Sequence, residues 1–212
     1  PGTLTWLDPP PAAPLAQARD LLQRLEAIDG SGRATALGRE MAMLGLHPRL
    51  GHMVLRARGL GLARLACEIA AVLSERDPVR GEPGTPDPDL RTRLDALHGR
   101  ALPHGVTADR GALRRIERVV QQIERQLARS SPSNRGGGSA ITAFDATGLL
   151  LAFAYPDRVG RARAETGGRY ALSGGRGAVL PGPAALARSE YIVVAALDAG
   201  EREARIQLAA PL

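Results

Sequence analysis

RGALRRIERVVQQIERQLAR, residues 110–129, places Leu113, Ile116, Val120, Ile123 and Leu127 at steps of 3, 4, 3 and 4. That spacing holds apolar side chains on one side of a 3.6-residue helix, so it predicts an amphipathic helix with Asp109 as its cap. At ~100° per residue, Arg110, Arg114, Arg118, Arg125 and Arg129 fall within about a quarter to a third of the circumference. Gln121 and Gln122 lie among them, and the apolar stripe lies opposite. Such a helix buries one face against neighbours and leaves a row of guanidinium groups outside. Planar, bidentate donors of this kind suit phosphate. The alternative is a solvated face, with Glu117 and Glu124 on the shoulder neutralising part of the row.

Upstream the pattern stays helical. After Asp8-Pro9-Pro10-Pro11, Leu15, Ala18, Leu22 and Leu25 step by 3, 4 and 3, predicting a helix that runs to Asp29-Gly30. Thr35 is placed to cap a short helix carrying Leu37, Met41 and Leu44, and His47-Pro48 opens another with proline at its first position. Gly59-Leu60-Gly61 breaks that helix, the next runs to Asp77-Pro78, residues 78–88 read as a loop, and Asp87-Pro88 restarts a helix with Leu90, Leu94 and Leu97. Downstream the character changes. Ser130–Ser139 has no apolar residue and reads as a linker. Leu149–Tyr155 then predicts a buried helix stopped near Pro156. Arg169–Ser173 and Arg176–Leu180 around Gly174-Gly175 predict a hairpin, and Glu190–Leu197 and Ala204–Ala209 two further strands, the β part ending abruptly at Leu212.

The chain has 212 residues, 44% hydrophobic and 24% charged, enough core for one large or two small domains. No apolar run approaches the ~18 residues of a membrane span. The single cysteine, Cys67, reads as a small core residue, and a reducing, cytoplasmic setting is expected. All 28 basic residues are arginine. Without lysine there is no phosphate-binding loop of the G-x-x-x-x-G-K type, no kinase lysine and no Schiff base. Of the net +6, residues 100–135 carry +5, as 8 Arg against 3 acids.

Several motifs together resemble the segment that follows the motor domains of DEAH-box RNA helicases. They are Asp8-Pro9-Pro10, Leu25 to Ile28-Asp29, Thr35-Ala36-Leu37-Gly38-Arg39 and His47-Pro48-Arg49-Leu50. Leu73-Ser74-Glu75-Arg76-Asp77-Pro78, Ala154-Tyr155-Pro156-Asp157-Arg158-Val159 and Gly175-Arg176-Gly177-Ala178-Val179-Leu180 look like its bacterial HrpB branch. The resemblance implies an α+β chain: a winged-helix-like segment over 1–46, a helical ratchet bundle over 47–129, a linker over 130–140 and an OB-like β segment over 141–212. It also implies upstream motor domains in the same bacterial polypeptide, with ATP and Mg bound there. This chain has no ATPase motif, so on its own it is expected to be inactive and without a cofactor.

The expected partner is single-stranded RNA or another nucleic acid, held through Arg110, Arg114, Arg118, Arg125 and Arg129. A second basic group, Arg158, Arg161, Arg163 and Arg176, belongs to the β segment, where Tyr155 or Tyr170 could stack a base or simply pack. His47 reads as a cap rather than a ligand, and His98 and His104 as loop residues without Cys or Glu partners; no metal site follows. Trp6 reads as an anchor against the first helix. Two other classes stay open: a winged-helix DNA-binding regulator, for which residues 36–45 offer few base-reading side chains, and an Arg-rich protein-interaction module.

Overall fold

Pro11, at φ −55° and ψ 141°, leads into α1 (Ala12–Arg24). The computed structural model describes residues 8, 10–81, 86–130, 146–163, 167–182, 184–198 and 203–212; Trp6 and the linker beyond Ser130 lie outside them. The helix stops five residues before Asp29-Gly30, because Leu25 turns fully into the core and Glu26 adopts a left-handed φ of 54°. Thr35 Oγ1 accepts from the Gly38 N–H (2.9 Å) and donates to the Glu26 carbonyl (2.6 Å). One hydroxyl thus caps α2 (Ala36–Met43) and ties it to the turn after α1. An antiparallel bridge between Ile28 and Ala34 completes a small wing-like hairpin.

His47 caps α3 (Pro48–Gly59), its ring accepting from the Arg49 N–H, with Pro48 at the first helical position where no N–H is missed. Next come α4 (Ala63–Ser74), β1 (Val79–Arg80), α5 (Leu90–Leu97), β2 (Thr107–Ala108) and α6 (Arg110–Ser130). The two short strands pair antiparallel, the first inside the stretch 78–88 that the sequence reads as a loop; two residues carry no period to detect. On α6, Ala112, Ile116, Val120, Ile123 and Leu127 are buried, facing α4.

The apolar helix α7 (Ala146–Ala154) comes after the linker in sequence yet packs against α3. Its Leu150, Leu151 and Ala154 share one continuous core with Met53, Val54, Ile69 and Ile116, and that core reaches Val193 and Ala210 of the β part. A Cβ on Gly148 would lie 1.9 Å from the Pro211 carbonyl oxygen, so only glycine lets this backbone approach occur.

A 3-10 turn at Pro156–Arg158 leads to β3 (Val159–Ala162), β4 (Arg169–Leu172), β5 (Gly177–Val179), β6 (Tyr191–Leu197) and β7 (Ala204–Pro211). They close into a barrel in the order β3-β4-β5-β7-β6, with β5 and β7 parallel and the other pairs antiparallel. Tyr170, Leu172, Ala178, Ile192, Val194 and Ile206 fill its interior. This is the five-stranded OB-like arrangement. The hairpin and the last two strands follow the sequence pattern. β3 does not, because Val159-Gly160-Arg161-Ala162 has little apolar content, and pairing on both sides supplies what its side chains lack. The architecture is α+β, a helical part followed by a small β barrel.

Candidate nucleic-acid interface

The long helix is pinned at its start by Asp109, whose Oδ1 accepts from the N–H groups of Gly111 (2.8 Å) and Ala112 (3.0 Å). The Ala112 and Gly111 bonds hold its carboxyl below the usual carboxylate range. Arg110, Arg114, Arg118, Arg125 and Arg129 are all exposed on the side away from the buried stripe, and Arg115 extends the row. None of these side chains enters an ion pair among the described residues, although most other arginines of the bundle do. Glu124, one of the two shoulder carboxylates, is engaged by Arg64 of α4 (3.2 Å). The row therefore keeps its positive charge instead of cancelling it locally.

The barrel's basic group is distributed differently. Arg161 and Arg163 are exposed; Arg161 stands 3.9 Å from Glu190 and its guanidinium lies 6.0 Å from the Tyr191 ring centroid. Arg169 pairs with Glu203 (3.2 Å), and Arg176 is exposed beside the hollow formed with Asp157, Arg158 and Asp198. Arg158 is structural: its Nη1 donates to the Ala195 carbonyl (2.9 Å) and its guanidinium covers Tyr155 at 5.1 Å. Neither tyrosine that the sequence offers for stacking is open. Tyr170 is fully buried, with its hydroxyl on the Leu186 and Ser189 carbonyls, and Tyr155 is sandwiched between Arg49 and Arg158. The exposed ring is Tyr191, at the first position of β6; Ile192 to Ala195 are buried in succession, so the strand carries no alternation that could have marked it.

Arg49 fastens the two halves. It is 8% exposed, and its Nη1 donates to the Ala154 carbonyl (2.9 Å) while Nη1 and Nη2 grip Asp157 at 2.5 and 2.9 Å. Burial opposes ionisation of Asp157, but the Arg49 bonds outweigh it and hold the carboxyl below its ordinary range. Alongside, His52 places Nδ1 2.7 Å from the Phe153 carbonyl and Nε2 3.2 Å from Arg56 Nε. Facing a carbonyl, Nδ1 carries the proton, and Nε2 accepts. Burial lowers the pKa of His52, and burial with the charges of Arg49 and Arg158 lowers that of His47.

Stability should therefore depend on pH. Both histidines bind protons more readily unfolded, so their contribution is complete above the ordinary value of about 6.5 and is lost as pH falls below it. Thermal melts at pH 7.5 and pH 5 should show a lower Tm in acid, and His52→Asn, which keeps the donor without a titrating ring, should narrow the gap. Equal Tm values for the parent at both pH values would contradict the assignment.

The reading of His98 as partnerless is corrected by the fold: its Nε2 lies 3.0 Å from Glu68 Oε2, a contact across 30 residues that spacing could not reveal. Cys67 is a core residue, its thiol pushed up to about 12 by burial. Among the described residues no three His, Cys, Asp or Glu side chains cluster as metal ligands, and no helix is long and apolar enough to cross a membrane.

Comparison with known proteins agrees with this geometry. Residues 18–46 match the helicase-associated (HA2) winged-helix domain. The chain is 36% identical over 211 residues, 99% of its length, to the Escherichia coli ATP-dependent RNA helicase HrpB, of which it spans 22%. It is 31% identical over 103 residues to the Schizosaccharomyces pombe pre-mRNA-splicing factor ATP-dependent RNA helicase prp22, covering 42% of this chain and 9% of that protein. Crystal structures of E. coli HrpB superpose with TM-scores of 0.74 and 0.69, at 33% and 32% identity; they cover 100% and 99% of this chain, which in turn spans 23% of each. In its winged-helix match, helical bundle and OB-like barrel the chain is thus similar to a part of DEAH-box helicases. More narrowly, the chain is homologous to the C-terminal region of HrpB, and it spans about a fifth of the length of that relative.

Proposed function

We propose that this chain is the RNA-holding accessory part of a bacterial, cytoplasmic DEAH-box ATP-dependent helicase, and that α6 is its track for phosphates. The observation that carries this reading is the row of exposed arginines, Arg110 to Arg129, without ion pairs among the described residues. The exposed barrel arginines Arg161, Arg163 and Arg176, with the Tyr191 ring nearby, extend the contact to a second surface. Contacts of this kind fix position along a strand and carry little sequence information. ATP and Mg would be held by motor domains of the same polypeptide, because this chain lacks the lysine that a phosphate loop needs. What it supplies is grip: a charged ridge on a rigid helix that a motor can move relative to a strand.

Fluorescence anisotropy of a labelled single-stranded RNA tests this. The five phosphate contacts of α6 alone give a log–log salt slope of about −3.5, at about −0.7 per contact, or roughly a hundredfold weaker binding from 50 to 200 mM salt, and barrel contacts steepen it. A flat salt response, or no binding at low salt, would refute the phosphate track.

A further inference from the structure

The Arg row borders a groove of about 230 Å³ between α4, the end of α5 and α6. Small-molecule sites run to ~300–1,000 Å³, so this groove suits a single ring system rather than a larger ligand. Leu97 and Val120 offer it apolar surface. Glu68, its side chain only 5% exposed, is held by His98 Nε2 (3.0 Å) and Arg64 Nε (3.1 Å), which fixes the imidazole at the wall. Glu117, Gln121 and Glu124 line the α6 side. Gln121 also falls within the angular sector of the Arg row, so the groove is continuous with the proposed phosphate track.

Arg64 also lines the groove and engages Glu68 and Glu124, which leaves Glu117 as the carboxylate open to N–H donors, while Leu97 and Val120 suit the face of a flat ring. We propose that the groove takes one unstacked guanine of a strand whose phosphates lie on the Arg row, a site that rests on the phosphate-track reading. Glu117 makes no ion pair among the described residues, and a carboxylate can accept two parallel hydrogen bonds. Guanine presents two adjacent donor groups, N1–H and the N2 amine, beside the O6 acceptor, which the Gln121 amide can meet. Adenine, cytosine and uracil each offer a single donor group on that edge, so each leaves a carboxylate oxygen unmatched. Reading such edges on unstacked bases is how single-stranded RNA is discriminated.

The test uses the full chain with three labelled RNAs: nine uridines, the same oligomer with a central guanosine, and one with inosine, which lacks the N2 amine. The guanosine oligomer should bind about tenfold tighter than the uridine one, within the range of a good bidentate contact, with inosine between them. Glu117→Ala should abolish the preference and leave uridine-oligomer affinity the same or slightly stronger. Equal affinity of the parent chain for all three overturns the guanine site and leaves the phosphate track standing. Failure of all three to bind overturns both.

Discussion

A chain carrying Arg114→Glu, Arg118→Glu and Arg125→Glu is expected to lose single-stranded RNA affinity by more than about a hundredfold at low salt, while melting as the parent does. Removing three of the five α6 contacts should flatten the α6 share of the salt slope from about −3.5 to about −1.4. Reversal adds repulsion to the loss of attraction, so the affinity change exceeds what removal alone would give. The three positions are exposed and make no ion pair among the described residues, so the fold has little to lose. Circular dichroism melts beside the anisotropy titrations separate the outcomes. Undiminished binding by a folded variant would mean that α6 is a solvated face and that the barrel arginines carry any RNA contact.

The second large effect concerns the joint between bundle and barrel. Arg49→Met should cost about 3 kcal/mol, the lower part of the range for removing one member of a buried pair, since Asp157 keeps some contact with water. For a chain of this size that corresponds to a Tm about 6–12 °C lower. Most of the cost comes from Asp157, left with a desolvated charge and no grip from α3, and the Ala154 carbonyl also loses its donor. Adding Asp157→Ala to Arg49→Met should therefore recover part of the loss. A double variant that melts lower than Arg49→Met by the full cost of Asp157→Ala alone would show that the two residues act independently. RNA affinity at temperatures where the Arg49 variant is folded should change little, because its side chain is buried away from the α6 row.

These two predictions draw on different levels of information. The first was legible in sequence: a 3-4 apolar period fixes which side of residues 110–129 is buried, and rigid helical geometry then fixes where the arginines point. The caps at Thr35, His47 and Asp109 were legible for the same reason, each acting on N–H groups two or three residues away. Arg158 shows the limit. By sequence it belongs with Arg161 and Arg163; in the fold it donates to Ala195, 37 residues away, and covers Tyr155.

Short-range physics thus determined the helices, their buried faces, the β hairpin and the concentration of charge on α6. Tertiary structure alone decided that β3 closes the barrel, that α7 enters the helical core, that Arg49 meets Asp157 across 108 residues, and that His98 meets Glu68. It also decided which arginines stay uncancelled. The reason is physical: periodicity and capping depend on backbone geometry within a few residues, whereas an ion pair or a barrel seam depends on separations in space that only the whole chain's packing sets.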